Sequence, residues 1–151
     1  MQRFIASGFG VGLIPKKLWG SDNGAGTFGA ALAAIVAWFV WPLGIVAQFA
    51  VLVIAIGLSL WSPRPFSAGH ADPGWIVIDE IAGTLIALVG LTAGGIPWFV
   101  ALVVARLADI FKVLPGVRRA EALPGAIGIT MDDLLAGLYG LAVGWALVAI
   151  L

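Results

Sequence analysis

The chain has no cysteine and a single histidine, His70. The first absence excludes a disulfide framework, a thiolate nucleophile and a thiolate metal site. A D-x-D motif is also missing, which removes the usual signature of a phosphoaspartate enzyme. The most telling absence is regional. Asn23 to Pro63, Ile81 to Ala105 and Leu134 to Leu151 contain no Asp, Glu, Lys or Arg, so all eight basic and eight acidic residues fall in the stretches before and between them. The formal net charge is zero, which offers nothing to attract nucleic acid.

What is present is apolar. Hydrophobic residues make up 62% of the chain and charged residues 11%, against about 45–50% and about 25% in soluble domains. Mean hydropathy is +1.10. A chain of 151 residues is expected to form one domain. Arg3 precedes an apolar stretch, but Gly8, Gly10 and Gly12 weaken it as a signal-peptide core and Lys16-Lys17 interrupts it. The N-terminus is read as mature protein.

The first uncharged stretch is too long for one membrane-spanning helix, which needs about 20 residues, and Trp41-Pro42 is a natural turn within it. The pattern predicts an all-α, compact membrane bundle of about five helices: Phe28–Val40, Leu43–Trp61, Trp75–Leu91, Ile96–Val113, and Thr130 to the C-terminus. Thr92 to Pro97 supplies turn chemistry between the third and fourth. Laid on that topology, every charge falls on one face. The turns opposite carry none, so Lys16, Lys17, Arg64, Lys112, Arg118 and Arg119 place the charged face in the cytoplasm. The first, third and fourth helices are short for a hydrocarbon core of about 30 Å, and acids close to that core are functional candidates by default.

Three acidic motifs lie on this face. Asp79-Glu80 opens the third helix; Arg106, Asp109 and Lys112 follow one another at i, i+3 spacing along the fourth; Asp132-Asp133 opens the fifth. An acid in a first turn favours helix initiation, and Thr130-x-x-Asp133 approaches a capping box. Capping needs one acid, however, and each pair brings two beside a region of low dielectric, where uncompensated carboxylates repel. A divalent cation resolves this: Mg²⁺ takes oxygen ligands and commonly bridges carboxylates to a phosphate. Asp109 reads equally as part of such a site or as a local ion-pair partner of Arg106 or Lys112. Ala and Gly follow both Asp79 and Asp133 at i+3 and i+4, small residues that let two helices approach closely.

Arg106 and Lys112 suit anionic oxygens, and a phosphorylated lipid matches both charge and depth. Arg118-Arg119 reads as a solvated basic loop. Gly24-Ala-Gly26-Thr27-Phe28-Gly29 matches G-x-G-x-x-G in letters only, because no strand precedes it. Gly26 and Thr27 either present amides to an anion at a helix N-terminus or form a flexible helix start. His70 reads as a solvated loop residue, and the seven tryptophans as interfacial and packing residues.

These blocks together resemble the phosphatidylglycerophosphatase A family. The resemblance runs from Gly8 to about Gly140. It rests on Gly26-Thr27-Phe28-Gly29, on Asp72-Pro73-Gly74 through Asp79-Glu80 to Gly83, on Arg106-x-x-Asp109-Ile-x-Lys112-x-x-Pro115, and on Gly128-Ile-x-x-Asp132-Asp133-x-x-Ala136-Gly137. It implies a compact all-helical fold and a Mg²⁺-dependent phosphatase of the bacterial inner membrane that converts phosphatidylglycerophosphate to phosphatidylglycerol; no obligatory protein partner is inferred. The chain departs from the family pattern at Lys16 to Ala25, a longer passage into the Gly-Thr motif, at Ala30, and at Val113-Leu114. On this reading Asp79, Glu80, Asp132 and Asp133 hold the metal, one carboxylate accepts a proton from water, Arg106 and Lys112 neutralise phosphoryl oxygens, and Asp109 ligates or orients Arg106. One histidine is too few for a phosphohistidine mechanism. An ion-coupled transporter is the competing class, but the far halves of the helices carry no charge. A noncatalytic lipid-binding subunit would need the basic loop without the two acidic pairs, and the Asp-Gly-x-x-Ala-Arg signature of lipid phosphotransferases is missing.

Overall fold

The computed structural model describes residues 1–68 and 72–151; His70 lies outside the described residues. Among the described residues the chain is all-helical: α1 Gln2–Ala6, α2 Ile14–Trp19, α3 Ala25–Val40, α4 Ile45–Trp61, α5 Ile78–Leu88, α6 Ile96–Phe111, α7 Val117–Glu121 and α8 Gly125–Ile150. The five predicted helices are α3, α4, α5, α6 and α8. Three short helices occupy the charged stretches, where composition carries no amphipathic period to announce them.

Several boundaries move, each for a local reason. The Trp41-Pro42 turn is a short 3-10 turn closed by Gly44 at φ 91. α5 is shorter than the predicted Trp75–Leu91. At its start Val77 is held out of the helix at φ −141, its amide donating to the Ala6 carbonyl at 2.9 Å. At its end Val89 is extended and Gly90 turns back at φ 75. α8 begins at Gly125 rather than Thr130, behind Pro124 in extended conformation.

α5 is the axis of the bundle. Apart from Glu80 every residue in it is buried, and it packs against α3, α4, α6 and α8. Its approach to α8 is set by glycine: a Cβ on Gly83 would fall on the Asp133 carbonyl, and one on Gly137 would fall on the Gly83 carbonyl. Gly140 and Gly144 continue the stripe against Ala101 and Leu91. Small residues of this kind let backbones touch where packing, not water exclusion, holds helices together.

Outward faces are apolar. Phe39, Val46 and Ile150 are 72%, 80% and 77% exposed, an apolar surface of the extent that marks an interface with a membrane or with another protein. Ala25–Leu43 and Gly125–Ile150 are long and apolar enough to cross a membrane, and Ile45–Trp61 is a shorter apolar helix. The charges do gather at one end. The starts of α3, α5 and α8 meet the end of α6 there, and the end of α4 joins them through the hydrogen bond between Ser59 and Thr130 at 2.7 Å. At the other end Gln48 Oε1 accepts from the Gly90 amide at 2.8 Å, closing the broken end of α5 with a neutral side chain.

Candidate active site

The first turn of α5 meets α8 two turns in from Gly125. Because α8 starts that early, none of its acids lies in its first turn, and helix initiation does not account for Asp132-Asp133. Thr130 caps nothing; it is fully buried and bonded to Ser59 of α4. The Gly83–Gly137 contact one turn deeper draws the backbones together, so that ligand atoms of Asp79, Glu80 and Asp133 lie within 4.8 Å of one another. Asp79 and Asp133 are 4% and 6% exposed. Asp79 Oδ1 and Glu80 Oε2 are buried with no hydrogen-bond partner, and acceptors left so cost about 1–3 kcal/mol each, more when charged. Three oxygen donors with open lone pairs are a set that could hold a cation.

Arg106 enters from α6. Its Nη1 donates to Asp109 Oδ2 at 2.7 Å, so of the two bases it is Arg106, not Lys112, that Asp109 pairs with. Its Nε is buried and unpartnered. On α3, a Cβ at Gly26 would collide with Glu80 Oε1 and Arg106 Nη2; Gly26 is glycine because these two side chains occupy the space. The amides of Ala25, Thr27 and Phe28 donate to the carbonyls of Asp22 and Gly24 at 3.0, 3.0 and 3.2 Å. This segment therefore contributes room rather than a row of free donors, and Thr27 itself is exposed.

Asp132 stands apart from the three-carboxylate cluster. Its Oδ2 accepts from Lys112 Nζ at 2.7 Å, and the same ammonium donates to Glu121 of α7 at 2.6 Å. Burial alone would pull the Lys112 ammonium down, but the bonds to Asp132 and Glu121 outweigh it and hold the group above the ordinary lysine value. Lys112 ends α6 in the left-handed region, φ 50 and ψ 33, a conformation that favours glycine. Glu121 carries no signal in the sequence: it stands nine residues beyond Lys112 on a short helix that no motif or amphipathic period marks. Arg118 and Arg119 are exposed, as expected, but they lie on the short helix α7 rather than in a loop.

An all-helical bundle with apolar flanks, two buried carboxylates and one half-buried carboxylate in a cluster, and an arginine beside them defines a class: a helical protein with an acidic cluster and a basic side chain at the polar end of an apolar body. Comparison narrows the class. A family model described as Phosphatidylglycerophosphatase A matches residues 4–148. The phosphatidylglycerophosphatase A of Escherichia coli (strain K12) is 34% identical over 137 residues, covering 88% of this chain and 75% of its own length. That of Haemophilus influenzae is 32% identical over 146 residues, covering 95% and 86%. A Bacteroides thetaiotaomicron protein named "Putative phosphatidylinositol-3-phosphatase" is 33% identical over 144 residues, covering 89% and 86%. No solved structure matches. The chain belongs to the phosphatidylglycerophosphatase A family and is an enzyme of the phosphoric monoester hydrolase class.

Proposed function

We propose that the chain is a Mg²⁺-dependent phosphatase that hydrolyses phosphatidylglycerophosphate to phosphatidylglycerol and phosphate at the cytoplasmic face of the bacterial inner membrane. The observation that carries this is the convergence of Asp79, Glu80 and Asp133 with two carboxylate oxygens left unpartnered. Three carboxylates so close, poorly solvated, need neutralising, and hard oxygen donors suit Mg²⁺; the residues fit the metal, and these three would hold it. When bound, Mg²⁺ supplies Lewis-acid polarisation of the phosphoryl group and a lowered pKa for water.

The rest falls to the chain's own groups. Asp109 fixes the Arg106 guanidinium, whose free Nε then meets a phosphoryl oxygen as charge spreads over the equatorial positions. Lys112 holds one oxygen of Asp132, leaving Oδ1 buried and unpartnered; in this reading Asp132 takes the proton of the attacking water. Lys112 acts through Asp132 rather than on the phosphate directly.

The test is phosphate release in detergent micelles, with Mg²⁺ and with EDTA, for wild type and Asp79→Asn. Release from phosphatidylglycerophosphate that needs Mg²⁺ and falls to background in the variant is expected. A phosphatidylinositol 3-phosphate arm belongs in the same assay, because one relative carries that name; faster release there would move the headgroup assignment. No release from either lipid would overturn the proposal.

A further inference from the structure

The site borders the seam between α3 and α6. These antiparallel helices meet only sparingly, with Gly26 opposite Arg106 at the charged end. Roughly two turns deeper, about 12 Å at 1.5 Å per residue, the same pair bears a shallow, open apolar furrow of about 180 Å³ lined by Ala34, Ile35, Trp38 and Phe39 of α3 and by Trp98 and Phe99 of α6. Trp38 and Trp98 meet edge to face at 6.1 Å, and Trp98 is 4% exposed, so one wall is rigid. One leaflet of a bilayer is about 15 Å of hydrocarbon. The furrow thus lies at the depth of the far half of a long acyl chain whose headgroup is at Arg106.

A second apolar groove, about 210 Å³, runs between α3, α4 and α5 past Ile78, Ile81 and Leu85. Those residues share the face of α5 turned away from Asp79 and Gly83, so a lipid there has its headgroup on the wrong side. Glu80, by contrast, faces Gly26 and Arg106. The approach of Gly26 to Arg106 at the charged end of the same helix pair selects the α3–α6 seam.

We infer that the α3–α6 furrow binds an acyl chain of the phosphomonoester lipid while its phosphate occupies the site at Arg106, making Ala34 and Phe99 specificity-determining residues for chain length. This rests on the lipid-phosphatase reading above. A short chain ends before the furrow and gains nothing from it.

The test compares kcat/KM for dihexanoyl and dipalmitoyl phosphatidylglycerophosphate at equal mole fraction in the same mixed micelles. Wild type should prefer the dipalmitoyl lipid. Ala34→Leu, which fills the furrow, should lower that preference by about tenfold, the range a mismatched hydrophobic pocket commands, with the dihexanoyl rate nearly unchanged. Phe99→Ala, which widens the furrow without crowding the helices, provides a second reading and should change the dipalmitoyl rate while sparing the dihexanoyl one. Equal effects on both lipids in the folded variants would overturn the furrow assignment and leave the phosphatase reading intact. A wild type inactive on both lipids would overturn the phosphatase reading and the furrow with it.

Discussion

Glu80 and Arg106 occupy the space where a side chain on residue 26 would begin. Gly26→Ala therefore pushes on the movable ends of two side chains, not on backbone. Stability should change by less than about 1 kcal/mol, as for a substitution that creates no cavity or buried orphan, while phosphate release drops sharply because both groups leave their positions. Thermal unfolding and activity measured on one preparation separate the two effects; unchanged activity would remove Gly26 from the site. Lys112 presents the opposite arrangement, a backbone strained to keep a side chain. Removing the ammonium leaves Asp132 buried without its partner, so both Lys112→Ala and Lys112→Gly should lose stability and activity. The left-handed φ of 50° costs alanine about 1–2 kcal/mol that glycine is spared. The glycine variant should thus unfold later than the alanine variant while equally inactive, and identical unfolding would show the strain to be absent.

At the scale of elements, the same glycine logic sets how far apart two helices stand. Gly83→Ala places a methyl group against the Asp133 carbonyl, and Gly137→Ala against that of Gly83. Backbone cannot swing aside, so either substitution should force α5 and α8 apart, costing about 1–3 kcal/mol as overpacking does and separating Asp79 from Asp133. Activity loss together with a lowered unfolding temperature is expected for both, in contrast to Gly26→Ala; wild-type stability in either would mean the helices are not in contact there. The Ala-Gly step after Asp79 and after Asp133 made this crossing legible in the sequence, as the absent charges made the long helices legible. Less was legible at the element ends. α8 starts before Thr130 because Gly125 follows a proline in extended conformation, and an uncharged, glycine-rich segment carries no marker of that. α5 loses a turn because Val77 is bonded to Ala6, a tertiary contact no local pattern encodes.

For the whole molecule, adjacency in sequence only partly indicates which acids come together: Asp79 and Glu80 share the cluster, whereas Asp132 and Asp133 do not. Asp132 and Asp133 are neighbours, yet a helix turns them about 100° apart, sending Asp133 to Asp79 and Glu80 and Asp132 to Lys112. The competing idea of an ion path through the bundle finds no support at the far end, where Gln48 is occupied with the Gly90 amide. That polarity predicts an orientation. Exposed Asn23 and Arg119 lie at the charged end and exposed Thr92 in the turn opposite, and basic residues near helix ends remain on the cytoplasmic side. The absence of native cysteine makes the prediction clean to check, since any thiol introduced is the only one present. In intact cells, a membrane-impermeant maleimide should label Thr92→Cys and leave Asn23→Cys and Arg119→Cys unlabelled until the membrane is opened. The reverse pattern would put the carboxylate cluster on the outer face and overturn the cytoplasmic orientation, and labelling of all three from outside would mean that the apolar helices do not separate two compartments.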